Sequence, residues 1–174
     1  MLAGLVALLT AISGIGYTHD ESLFRYEEGK LYINSEASYR ATCTTEEGKV
    51  LIVRKSALDP KECKVLVVEG KQGHHIFRIR VMKSWEGVVP MPEGVDIIPL
   101  ESPWDRNVGR KLNYGVFLEG KPVEDVRVFI NGKQAGVTRE GGKIRLRLRE
   151  GVNELEAVVE KQDREYIGVL IFER

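Results

Sequence analysis

An excess of positive charge is missing: 26 Lys and Arg are balanced by 26 Asp and Glu. A protein that grips duplex nucleic acid needs a net basic surface, so no nucleic-acid partner is expected. Histidine is scarce, with only His19, His74 and His75. His74 and His75 follow a predicted turn, and neighbours on a strand point to opposite faces. They read as exposed turn residues, not as a metal pair. Aromatic residues are only 7%, few for the stacking platforms of a glycosidase cleft. No GxSxG, HExxH, phosphate-loop or complete GxGxxG motif occurs. The neighbouring carboxylates Glu27 and Glu28, like Glu46 and Glu47, fall in predicted turns where solvation accounts for them. The expectation is a protein without catalytic residues, cofactor or metal.

Cysteine is limited to Cys43 and Cys63, and neither belongs to a CxxC pair, which argues against zinc. In SYRATCT, Cys43 shares a face with Tyr39 and Ala41. In CKVLVVE, Cys63 shares a face with Val65 and Val67. Both sulfurs then lie on apolar faces, as an internal bridge in an oxidising compartment requires. The alternative is two buried free thiols.

What is present begins with an apolar stretch. Residues 1–18 (MLAGLVALLTAISGIGYT) carry no charged side chain, and the first is Asp20. The 2–12 run has the length of a secretory hydrophobic region, with small residues after it. It falls short of the roughly 20 residues of a spanning helix. A cleaved leader, a retained membrane anchor and a buried core helix are the three readings. The first two place the protein outside the cell or in its envelope, secreted or anchored through residues 1–18.

Beyond this segment, short strands and turns alternate almost without interruption. LFRY and LYIN flank EEGK, SYRATCT and KVLIVR flank TEEG, and CKVLVVE and HIFRIRVMKSW flank GKQG. Residues 88–110 hold four of the six prolines. Proline donates no ladder hydrogen bond, so this segment reads as a linker between β domains at 20–87 and 111–174. In the C-terminal part, Asn131-Gly132 signals a type I′ hairpin between VRVFI and QAGVT. The predicted class is all-β: two small antiparallel β-sandwich units after a hydrophobic N-terminal segment.

The run GKPVEDVRVFINGKQAGVTREGGKIRLRLREGVNELEAVV resembles the immunoglobulin-like and transthyretin-like modules of bacterial and archaeal surface proteins. The likeness is to the carboxypeptidase regulatory-like and PEGA-type kinds. Gly120, Pro122, Val123, Asn131, Gly132, Gly136 and Thr138 fill the first part of that frame. Gly142, Leu146, Leu148, Gly151 and Leu155 fill the rest, over the last third of the chain. Arg139 stands where those modules often carry Asp, so a cation at that turn is not implied. The resemblance implies an Ig-like sandwich serving as spacer or interaction domain, with no catalytic residues. Together with the Glu, Lys and Arg-rich composition of a thermophile, it suggests an archaeal source.

Arg145, Arg147 and Arg149 alternate with Ile144, Leu146 and Leu148. Such a stripe suits acidic polymers. If EGVN closes a hairpin, however, Arg149 faces Glu154 and Arg147 faces Glu156 as cross-strand ion pairs. The expected function is that of a non-enzymatic secreted or cell-surface protein in binding, spacing or assembly, with a protein partner or itself. A subunit of an extracellular filament, using its apolar N-terminal segment for subunit contacts, is the first alternative. An accessory domain or small hydrolase acting on envelope polymers is the second. Non-reducing mass spectrometry after thiol alkylation should find no alkylated cysteine and a mass two hydrogens below the reduced chain.

Overall fold

A computed structural model describes residues 23–53, 57–86 and 88–174. The apolar segment 1–18 and His19 lie outside the described residues. The described chain is all-β, in fifteen strands and two single 3-10 turns, and no described helix is long and apolar enough to cross a membrane. The first half contributes β1 (Phe24–Glu27), β2 (Lys30–Ile33), β3 (Ser38–Thr44), β4 (Val50–Val53), β5 (Ala57–Leu58), β6 (Val65–Gln72) and β7 (His75–Met82). Then follow β8 (Val95–Pro99), β9 (Lys111–Leu118), β10 (Lys121–Pro122), β11 (Arg127–Ile130) and β12 (Lys133–Val137). The chain closes with β13 (Lys143–Arg147), β14 (Val152–Lys161) and β15 (Arg164–Glu173).

Eight strands form one long sheet in the order β12-β11-β14-β15-β7-β6-β3-β4. Its two halves join where β15 runs parallel to β7, from Glu165 opposite His75 to Ile171 opposite Val81. The neighbours on either side are antiparallel. A parallel pair cannot be closed by a hairpin, so the chain between them makes a long crossover. The small sheet β1-β2-β5 covers one face of the N-terminal half, and β8, β9, β10 and β13 form the sheet over the opposite face of the C-terminal half.

Each face has its own core. Leu31, Leu58, Ala41, Leu66, Phe77 and Ile79 are buried in the first, while Ile97, Leu112, Tyr114, Val128, Leu146 and Leu155 are buried in the second. β15 feeds both, sending Ile167, Val169 and Ile171 to the first and Leu170 and Phe172 to the second. A strand buried on both faces must be apolar throughout, which is why YIGVLIF lacks alternation. β8 lies inside the proline-rich segment and is buried along its whole length. It pairs with β9, and just past Pro99 the Leu100 amide still donates to the Asn113 carbonyl at 2.9 Å.

Local chemistry explains the turns. Asn131 and Gly132 both take positive φ, 49° and 83°, between β11 and β12, as the type I′ hairpin expected there demands. The buried Thr138 hydroxyl donates to the Val123 carbonyl at 2.8 Å and accepts from the Val126 amide at 3.0 Å. It thereby closes the loop that leads into β11.

Cys43 and Cys63 form a disulfide with their Cα atoms 5.3 Å apart. The face assigned to Cys63 from sequence needs correcting. Cys63 lies ahead of β6, capping the 3-10 turn Pro60–Glu62, and the buried residues of β6 are Leu66 and Val68 rather than Val65 and Val67. The turn redirects the chain, so period-two counting back from the strand fails. In the chain-entropy view a bridge at this separation of 20 residues stabilises by roughly 3 kcal/mol.

Gly168 on β15 marks where β8 crosses the sheet. A Cβ there would lie 2.8 Å from the Val95 carbonyl oxygen and 2.9 Å from Val95 Cγ1. Gly168→Ala should therefore lower stability by about 1–3 kcal/mol through overpacking, read as a lower denaturation midpoint with unchanged circular dichroism at room temperature.

Candidate functional site

Among the described residues, the histidines, the arginine stripe and the cysteine pair singled out in the sequence lie apart from one another. His74 lies in the turn and His75 on β7, so their rings stack with centroids 4.1 Å apart instead of pointing to opposite faces. His75 Nδ1 is 2.9 Å from Glu165 Oε1, across the parallel seam. Among the described residues no group of three His, Cys, Asp or Glu side chains could hold a metal ion.

The arginine ladder needs a larger correction. β13 pairs with β9, placing Arg147 opposite Lys111 and Arg145 opposite Asn113. Glu156 and Glu154 lie on β14 in the other sheet, flanked by β11 and β15, so the expected cross-strand register of Arg147 with Glu156 and Arg149 with Glu154 does not exist. The Asn153 side chain makes the difference. Its Oδ1 accepts from the Arg149 amide at 3.0 Å, and its Nδ2 donates to the carbonyls of Arg149 and Gly151. This clasp turns the chain from one sheet to the other, so EGVN is an arch and not a hairpin. Arg147 Nη1 donates to the Gly109 carbonyl at 2.8 Å.

The charges that the fold buries are different ones. Arg78 and Arg80 project from β7 on the face opposite Phe77 and Ile79, as the alternation predicts, yet β8 covers them. Asp96 on β8 is 2% exposed and receives both. Its Oδ1 accepts from Arg80 Nε at 3.1 Å, while Oδ2 lies 3.1 Å from Arg78 Nη1 and accepts from the Met91 amide at 2.7 Å. Arg78 Nη2 also donates to Glu69 Oε2 at 2.7 Å, and Glu69 lies between Arg78 and Arg40 in the strand register. The sole signal in sequence was one acid within the apolar stretch VDIIP. Each carboxylate is engaged by guanidinium groups, so the cluster ties β6, β7 and β8 together.

A second polar group, around Glu101, fastens the 100–110 loop. Glu101 accepts from the Asn113 amide at 2.9 Å, from Asn113 Nδ2 at 2.8 Å and from Arg106 Nε at 2.8 Å. The Asn113 backbone donor, followed by Arg106 and the Asn113 side chain, holds its carboxyl below the usual carboxylate range against the opposing effect of burial.

The remaining feature is an edge. β4 is the outermost strand of the long sheet and pairs only with β3 among the described residues. Val50, Leu51 and Ile52 are 63%, 50% and 56% exposed, three successive aliphatic side chains on one edge strand. Leu51 stands opposite Cys43 on the core side, whereas Val50 and Ile52 stand opposite Thr44 and Thr42 on the outer side. Beside Leu51 runs a groove of about 880 Å³ lined by the disulfide cysteines, Glu46, Glu47 and Asp59 among others. Three of the other edges are blunted: β12 opens with Lys133 and Gln134 and faces a register shift in β11, β1 carries Arg25 and Glu27, and β13 carries Lys143, Arg145 and Arg147.

No family model matches the chain, and no curated protein is significantly similar to it.

Removing Asp96 would leave the buried Arg80 without its carboxylate and Arg78 with Glu69 alone. Asp96→Ala should cost roughly 3–5 kcal/mol in denaturant unfolding. Asp96→Asn, which keeps an acceptor for Arg80, should cost less.

Proposed function

We propose that this is a non-enzymatic secreted or cell-surface protein that acts in binding, spacing or assembly. The observation that carries this reading is the aliphatic edge of β4, which no other strand among the described residues pairs beyond β3, on a disulfide-tied β body. An exposed, flat, hydrophobic edge strand invites aggregation unless it has a partner, and strand addition to such an edge is a recurring mode of protein recognition. The disulfide supports an oxidising compartment, and the uncharged 1–18 segment supports export by cleavage or anchoring. The resemblance of the C-terminal third to PEGA-type and carboxypeptidase regulatory-like modules points the same way. A subunit of an extracellular filament is the form of this reading that the open edge favours, with an archaeal envelope as the setting the composition suggests.

Size and morphology of the natively purified protein provide the test. Light scattering and negative-stain microscopy should show assemblies larger than a dimer. N-terminal sequencing should begin between residues 14 and 20, or the protein should fractionate with membranes. A cytosolic full-length monomer that turns over an envelope polymer would overturn the proposal.

A further inference from the structure

Charge is balanced over the whole chain but not over its surface, and two hollows at opposite ends of β3 carry opposite excesses. Beside the start of β3, a cleft of about 500 Å³ is lined by Arg40, Lys71, Arg78 and Arg164 against Glu69 and Glu93. Glu69 is already engaged, because its Oε2 accepts from Arg78 Nε at 3.2 Å and from Nη2 at 2.7 Å. Arg40 stands opposite Glu69 in the register, yet Arg40, Lys71 and Arg164 are exposed and in no ion pair among the described residues. Three unpaired cations therefore face Glu93 alone. Beyond the end of β3, in the groove beside the disulfide, Glu46, Glu47, Asp59 and Glu62 outnumber Lys49 and Lys61. Glu46 and Glu47 are exposed at the tip of the turn between β3 and β4. The Gly48 amide donates to the Thr45 carbonyl at 2.9 Å and the Lys49 amide to the Thr45 hydroxyl at 3.1 Å, which closes the turn into a fixed acidic knob.

We infer that the basic cleft accepts the Glu46–Glu47 turn of a second copy, a reading that rests on the assembly function proposed above. Charge complementarity selects this occupant. The cleft has an excess of unpaired cations, and the turn presents two adjacent carboxylates that are in no ion pair among the described residues. A chain cannot fill its own cleft in this way. β3 is seven residues long, so the two hollows lie about 20 Å apart along one laddered strand. The disulfide also ties the turn end of β3 to Cys63. Cleft and turn are then different surfaces of one molecule, a heterologous contact that repeats head to tail into an open polymer unless it closes in a ring. Charges at a rim govern partner choice and encounter rate more than affinity, and salt screens them. Low ionic strength and high protein concentration should favour the assembly.

The test exchanges these charges in full-length protein, at side chains that are all exposed. Arg40→Glu with Lys71→Glu makes the cleft acidic, and Lys71→Glu with Arg164→Glu is a second cleft variant should the first disturb the fold. Glu46→Lys with Glu47→Lys makes the turn basic. Sedimentation and negative-stain microscopy at about 20 mM salt, where the screening length is roughly 20 Å, provide the readout. Wild type should assemble there and come apart at about 0.5 M salt, where that length falls to about 4 Å. Each variant alone should be a monomer with wild-type circular dichroism. An equimolar mixture of cleft and turn variants should assemble again, because every acidic cleft then finds a basic turn and every basic cleft an acidic one. Assemblies that survive either exchange, or a mixture that stays monomeric, would overturn this inference and leave the assembly function standing. A wild type that stays monomeric at low salt and high concentration would sink both readings. Binding of dextran sulfate by that monomer, lost in the cleft variants, would show that the cleft serves an acidic polymer instead.

Discussion

The parallel pairing of β7 with β15 is the constraint on which the architecture depends. It fuses two antiparallel halves into one sheet, and it obliges the chain between Met82 and Arg164 to act as a crossover. β15 consequently has neither a free face nor a free edge. Its apolar residues stabilise both cores together, at about 25 cal/mol per Å² of buried apolar area. Loss of this one strand would open both cores, so the two halves share their stability instead of having it separately.

Because the crossover brings β8 over β7, the outer face of β7 is dry where an isolated hairpin would leave it wet. Arginines on a solvated face need no partner, but arginines under a strand do. Asp96 answers that need and also takes the Met91 amide, tying the approach to β8 to the same carboxylate. Buried charge here is a consequence of topology, and its local geometry serves registration of β8 on β7. The close contact at Gly168 works in the same direction, because only a residue without Cβ lets Val95 descend onto β15.

The edges have unequal chemistry. Charged side chains and a register shift blunt β1, β12 and β13. β4 has no such device within Val50–Val53, and the disulfide fixes its neighbour β3 to the turn before β6. Among the described residues no strand pairs with the other side of β4.

Much of this was legible before any coordinates. Period two, turn residues and Asn131-Gly132 located the main hairpins, and the alternation in HIFRIRVM separated Phe77 and Ile79 from Arg78 and Arg80. The bridge between Cys43 and Cys63 was legible too, although the face assigned to Cys63 was not. These features depend on neighbours a few residues apart, where backbone sterics and pleat decide the outcome. Long-range partners were a different matter. Whether EGVN closes a hairpin or crosses between sheets depended on the Asn153 clasp and on β9 being available to pair with β13. Whether Arg78 and Arg80 meet water or Asp96, and whether VLIV is a covered strand or an open edge, depended on what the other strands left exposed. Local sequence determined most strands and many of their faces, though not β8 or the face of Cys63; tertiary structure alone decided which faces and edges stayed open, because burial belongs to the packed whole.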